Sequence, residues 1–364
     1  MPTLNDPVAD PQLELAWPRS DIVSLPPLRS VVAAQRYYLE TRRTIRAFAR
    51  TVDRLIMRLP FQIPSVLRHL NVPKAIHIVS DPVEIVRVST DYRGLMGFLA
   101  RRFARHAINS TRRLAAEPNT RTITNGEALW KQLRPPAGRV IVSASLYERE
   151  MIPRADRQLH DPPRLLFVGW LRPEKGIHTL LSAFEALRRT RPLKLTIAGG
   201  LDRATGTELL VQQRIKASAF ATDIELRGSV PFGPELFELY RTHDIYVLPS
   251  FSEGTPRTLV EARAFGCPVV ATTVGGIPSS IRDGFDGILV PPGDDAQLAT
   301  ALRTVLDNET LRVSLIQNGI ERARAFSVEA FVRDLVAETE LAADAAPSRL
   351  VAPSADGVPK GVPS

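Results

Sequence analysis

A single cysteine, Cys267, stands among the 364 residues, so no internal disulfide can form and a reducing compartment is the simplest setting. No apolar run approaches the roughly 18 residues that span a bilayer, which argues against a transmembrane helix. The opening Met-Pro-Thr-Leu-Asn-Asp-Pro has neither the basic start nor the apolar core of a signal peptide. These absences together predict a cytoplasmic protein. The net charge is +8, yet no zinc-finger spacing or aromatic RNA-binding strand accompanies it. Nucleic acid is therefore the weakest partner for this basic chain, behind an anionic membrane surface or an anionic small molecule.

What is present is long enough for two ordinary domains, and its 44% hydrophobic and 24% charged residues are those of a soluble globular protein. Strands alternate with helices throughout, which predicts doubly wound parallel sheets. In the first half, residues 1–20 read as irregular and 21–25 as a strand. A helix is expected over 30–52, with Tyr38, Ile45, Phe48 and Val52 on its apolar side and Arg42, Arg43, Arg46 and Arg50 opposite. Strands near 55–57 and 75–79 flank a short helix near 63–70. A second basic helix over 93–113 carries Arg101, Arg102, Arg105, Arg112 and Arg113, and strands at 121–124 and 139–143 enclose a helix at 126–133. The two arginine faces could dock on anionic lipid, at about 1 kcal/mol per cation; solvated faces of ordinary amphipathic helices are the simpler reading.

Charged, proline-bearing residues 151–163 predict a hinge between a first domain, 1–150, and a second, 164–341. The second domain alternates more cleanly. Strands are expected at 164–169, 193–198, 224–226, 244–248, 267–272 and 287–290, with helices at 177–189, 206–217, 234–241, 256–266, 277–281, 294–306, 308–325 and 327–341. Residues 342–364, rich in Ala, Pro, Ser and Gly, predict a disordered tail.

Residues 247–262 hold the densest chemistry. After the apolar strand, Glu253 and Gly254 form a turn, Thr255 is placed to cap a helix, and Pro256 suits its first turn. The amides of Arg257 and Thr258 would then face out of a positively polarised helix start, which attracts phosphate. Glu261, five residues beyond Pro256, lies roughly 7.5 Å deeper at 1.5 Å per residue, a distance that fits a ribose behind a diphosphate. The simpler alternative pairs Glu261 with Arg257 at i,i+4.

The Glu253…Glu261 spacing in Glu-Gly-Thr-Pro-Arg-Thr-Leu-Val-Glu-Ala resembles the signature of the family 4 retaining glycosyltransferases (glycosyltransferase group 1). Leu226–Val230, Phe265-Gly-Cys-Pro-Val-Val-Ala-Thr, Gly275-Gly-Ile-Pro and Gly287-Ile-Leu-Val-Pro-Pro-Gly-Asp add to the likeness. The resemblance is dense over 164–306 and thin before that. It implies the GT-B fold, two Rossmann-like α/β domains facing a cleft, and transfer of a sugar from a nucleoside diphosphate donor to a glycan, lipid-linked or small-molecule acceptor with retention. It implies that Lys175, with Arg172 beside it, contacts the donor diphosphate; the usual arginine position holds Trp170. It implies that Gly228, Ser229 and Val230 hold the base through backbone groups, that Gly254, Thr255, Arg257 and Thr258 receive phosphate oxygens, that Glu261 holds the ribose and that Glu253 orients the donor sugar. Asp81, at the carboxyl end of a strand beside Pro82, is the candidate acceptor-side catalytic residue, and His77 a weaker one. With no Asp-x-Asp motif in the chain, no metal or other cofactor is expected on the diphosphate. No glycine precedes Gly94, where the family carries an early Gly-Gly turn, so a reduced N-terminal domain is expected, lacking that element and the strands around it. That leaves a second function class open: a non-catalytic nucleotide-sugar-binding or partner subunit. A nucleotide-sugar epimerase on the same fold fits the paired glutamates less well.

Overall fold

The computed structural model describes residues 36–59, 64–83, 86, 94–142, 145–200 and 206–344. The irregular segment 1–20, the strand at 21–25, residues 30–35 of the first helix and residues 345–364 of the expected tail lie outside the described residues; 342–344 complete the last helix.

Two parallel sheets organise the chain. The first runs β1 (Leu55–Leu59), β2 (Lys74–Ile78), β3 (Thr120–Asn125), β4 (Gly138–Ile141) in spatial order. Its helices are α1 (Tyr38–Phe48), α2 (Gly94–Ala115) and α3 (Glu127–Leu133). On one face Leu55, Leu59, Ile76 and Ile78 pack with Ile45, Ile108 and Leu114. The short helix expected near 63–70 is a 3₁₀ turn over Pro64–Leu67. Val66 and Leu67 are fully buried there, and α1 and α2 both pack on the turn.

The second sheet contains β5 (Arg164–Val168), β6 (Lys194–Ala198), β7 (Ile224–Gly228), β8 (Ile245–Leu248), β9 (Val269–Thr272) and β10 (Ile288–Val290), in the order β10-β9-β8-β5-β6-β7. Strands β5 to β7 step outward one way; β8 then returns to pair with β5 and the sheet grows the other way. That reversal opens a crevice at the carboxyl ends of β5 and β8, the usual ligand position in such sheets. The helices are α4 (Ile177–Arg188), α5 (Thr207–Lys216), α6 (Pro234–Arg241), α7 (Thr258–Ala264), α8 (Ile277–Ser280), α9 (Asp295–Asp307), α10 (Glu309–Arg324) and α11 (Val328–Asp344). Leu180, Leu181, Phe184 and Leu187 place α4 at helical spacing on the sheet, fully buried, each contributing about 1.5–3 kcal/mol. Between α7 and α10 lies Arg263, 1% exposed; it donates to the carbonyl oxygens of Leu259 (3.0 Å) and Ser280 (2.8 Å), to Ser280 Oγ (2.9 Å) and to Asp286.

Helix α11 leaves the second sheet and covers the far face of the first, where Phe331 and Leu335 meet Ala75, Ile123 and Ile141. Buried Glu338 accepts from Arg121 Nε at 2.8 Å and Arg139 Nε at 2.9 Å, fixing the helix to β3 and β4. The connecting segment is tied to the second sheet: Arg154 donates to Asp244 Oδ1 (3.2 Å) and to the His243 carbonyl oxygen (3.2 Å). Among the described residues no helix is long and apolar enough to cross a membrane.

Candidate active site

Carboxyl ends of strands from both sheets converge on a cavity of about 570 Å³. The first sheet supplies Val79, Ser80 and Asp81 after β2, Asn125 at the end of β3, and Gln132 on α3. The second supplies Trp170, Arg172 and Lys175 after β5, Ser252 to Gly254 after β8, and Val274 to Gly276 after β9.

Sequence neighbours do not explain why Lys175 and Glu253 meet; the β5–β8 pairing does. Lys175 Nζ donates to Glu253 Oε1 at 2.6 Å, and Ser250 Oγ donates to the same oxygen at 2.8 Å. The carboxylate is 8% exposed and the lysine 21%. Gly176 makes the approach possible. It adopts φ +68°, and any Cβ there would collide with the Pro249 carbonyl oxygen. The Phe251 amide, donating to the Glu174 carbonyl oxygen at 2.7 Å, closes the same seam. Trp170 is 54% exposed, lies against the backbone of Gly200 and has the Arg172 guanidinium 5.9 Å from its ring centre. Asp81 faces the same cavity with both oxygens engaged: Oδ1 accepts from the Val83 amide (2.8 Å) and Oδ2 from Gln132 Nε2 (2.7 Å).

The two halves are latched at the cavity floor. Thr255 Oγ1 donates to the Asn125 carbonyl oxygen at 3.1 Å, and the Glu127 amide donates to Ser279 Oγ at 2.9 Å. Ser279 thus acts as the cap that Gly126 cannot provide for α3. Gly276 sits where a side chain would strike Thr255 Oγ1 and the Gly254 carbonyl oxygen.

The structure corrects the expected helix start. Helix α7 begins at Thr258, with Arg257 at the N-cap position, and spans seven residues. Thr255 caps nothing, because its hydroxyl is bound across the domain boundary, and Pro256 precedes the helix. Glu261 therefore lies in the first turn, two residues nearer the start than expected. It is 4% exposed, neither turned to solvent nor paired with Arg257. Ser145 Oγ donates to its Oε1 at 2.6 Å and Tyr240 Oη to its Oε2 at 2.9 Å. Burial first, then the neighbouring Glu261, hold the Tyr240 hydroxyl protonated well above the usual phenol range, so it stays a donor. Each carboxylate oxygen retains a second lone pair.

Of the expected site residues, Asp81, Arg172, Lys175, Glu253 and Gly254 line this cavity. Thr255 and Arg257 line a neighbouring cavity of about 450 Å³. Gly228, Ser229, Val230, Thr258 and Glu261 line neither. Sequence reasoning missed Gln132, Asn125, Ser145 and Tyr240; only the position of Asn125 at a strand's carboxyl end signalled it. Among the described residues no cluster of three or more His, Cys, Asp or Glu could hold a metal ion.

Residues 148–322 match the family described as Glycosyl transferases group 1. The chain is 37% identical over 165 residues to a D-inositol 3-phosphate glycosyltransferase of Corynebacterium efficiens, covering 44% of this chain and 38% of that protein. The chain matches about two fifths of the length of the first of these curated relatives. The whole fold is shared with sucrose-phosphate synthase from Thermosynechococcus elongatus at TM-score 0.67 and 20% identity, over 88% of this chain and 79% of that one. It is also shared with HepE of Anabaena, solved in complex with UDP, at TM-score 0.62 and 18% identity, over 84% and 81%. The architecture is GT-B, two parallel α/β sheets across a cleft.

Proposed function

We propose that the chain transfers a sugar from a nucleoside diphosphate donor to an acceptor hydroxyl, with retention at the anomeric carbon. The observation that carries this reading is the Lys175–Glu253 pair, 2.6 Å apart at the switch point of the second sheet and inside the cleft. As the donor bond breaks, negative charge collects on the departing diphosphate; Lys175 and Arg172 offset it without a metal ion, by electrostatic stabilisation in a partly water-excluded site. Glu253, anchored by Ser250, accepts hydroxyls of the donor sugar. Glu261 receives the ribose on its remaining lone pairs, Gly254, Thr255, Arg257 and Thr258 flank the phosphates, and the backbone of Gly228, Ser229 and Val230 holds the base. Asp81 faces the acceptor. UDP, present in the HepE structure, is the first nucleotide to try.

The test is a panel of nucleoside diphosphates and their sugars, read by thermal shift and by product analysis on the purified chain. Lys175→Ala is expected to weaken donor binding about 10- to 100-fold, the range for a hydrogen bond to a charged group. Unchanged donor affinity removes the assignment. Donor binding with neither transfer nor hydrolysis assigns the chain to the non-catalytic class instead.

We further propose peripheral contact with an anionic membrane. Both arginine-bearing helices pack on the Pro64–Leu67 turn, leaving Arg43, Arg50, Arg101, Arg102 and Arg105 exposed, with Phe98 and Leu99 exposed beside them on α2. Co-sedimentation with anionic vesicles that salt reverses is expected; no binding at low salt removes the idea.

A further inference from the structure

The second cavity holds two groups, Arg58 and His77, that the donor-binding reading does not use. Arg58 of β1 and His77 of β2 are register partners on adjacent parallel strands, so their side chains share one face of the sheet. Helix α11 covers that face only in part: Phe331 meets the His77 ring edge-on at 5.3 Å and Leu335 closes one side. Arg257, from the other half of the molecule, lines the same cavity. Among the described residues neither guanidinium group forms a hydrogen bond or ion pair. His77 is 5% exposed, and its Nε2 is buried with no hydrogen-bond partner. A buried ring nitrogen without a partner is costly, and a ligand oxygen arriving through this cavity would relieve that cost. Val79 and Asn125 line both cavities, so a ligand seated here has a short route to the Lys175–Glu253 pair.

We propose that this cavity binds a phosphoryl group carried by the acceptor, with Arg58 and Arg257 supplying charge from the two halves and His77 Nε2–H donating to a phosphoryl oxygen. Two arginines lining one cavity suit a dianion with several acceptor oxygens. Burial, then the adjacent Arg58, lower the His77 pKa to about 4, so the ring is neutral at pH 7 and acts as a hydrogen-bond donor. The proposal rests on the transferase reading only for the word acceptor; the anion site stands on its own geometry.

The experiment titrates the full chain, held in saturating UDP, with inorganic phosphate and with glycerol 3-phosphate by calorimetry. Both are expected to bind alongside UDP. Arg58→Gln and His77→Phe are each expected to weaken both about tenfold or more while UDP affinity stays unchanged. Far-ultraviolet circular dichroism and the UDP titration certify that each variant is folded. Displacement of phosphate by UDP, or affinity unchanged in Arg58→Gln, overturns the site. Binding of inorganic phosphate alone overturns the acceptor assignment. Arg58-dependent binding of phosphate by a chain that takes no UDP overturns the donor reading and keeps the anion site.

Discussion

The two sheets reach the same cleft by different means. The second is nearly self-sufficient: its central strands are buried apolar runs, its charged pair sits at its own switch point, and Gly176 sets the spacing locally. The first borrows. One face is closed by α11, contributed from the other end of the chain and held by Glu338 on Arg121 and Arg139. Its helix α3 is capped by Ser279, and its β3 end is held by Thr255. Chemistry supplied within one domain can be pre-formed before the halves meet; chemistry shared between them depends on how they dock.

The sharpest way to break this contrast is Arg263→Ala. It leaves buried Asp286 with only the Arg282 amide at 2.6 Å and a distant Arg322 at 4.0 Å, and should cost about 3 kcal/mol in urea unfolding. A loss under 1 kcal/mol would mean that α7 and α10 are not held as described.

Acid probes both halves at once. His77 in the first and His243 in the second are buried, each with a pKa lowered to about 4. Below pH 6.5 the unfolded chain takes up protons that the native one refuses. Stability is therefore full above pH 6.5 and falls as pH drops towards 4, by up to about 3 kcal/mol per histidine. Unfolding curves across that window should flatten in His77→Phe and in His243→Phe, and a common slope in both variants and the parent would sink the assignment.

Glu338→Ala should cost about 2 kcal/mol, since two charged donors lose one acceptor while staying partly hydrated. Hydrogen exchange should quicken in β3 and β4 and leave β5 to β9 unchanged; uniform quickening would make the two halves one cooperative unit. The smallest effect is expected from Thr255→Val, about 1 kcal/mol for one neutral hydrogen bond, seen as faster exchange around Asn125.

Most of the second half was legible because its strands are short apolar runs bounded by glycine and proline, and periodicity reads such runs directly. Lys175 and Glu253 were singled out by the family resemblance of their loops, and the β5–β8 pairing brings them together. The start of α7 was not. Thr255-Pro256 is good local capping chemistry, but an acceptor 130 residues away takes the hydroxyl, and tertiary contact overrides the local preference. Glu261 was placed inside correctly, while its partners Ser145 and Tyr240 lie 116 and 21 residues away, beyond any periodic signal.

By itself the sequence determined the parallel α/β class, the order of its elements and the charged loops at strand ends, because hydrophobic period and turn chemistry are local. Which side chains share a cavity was decided only in three dimensions. The pairing of β5 with β8, the return of α11 over the first sheet and the facing of Arg58 with His77 and Arg257 all depend on contacts between distant segments, whose geometry no local pattern encodes.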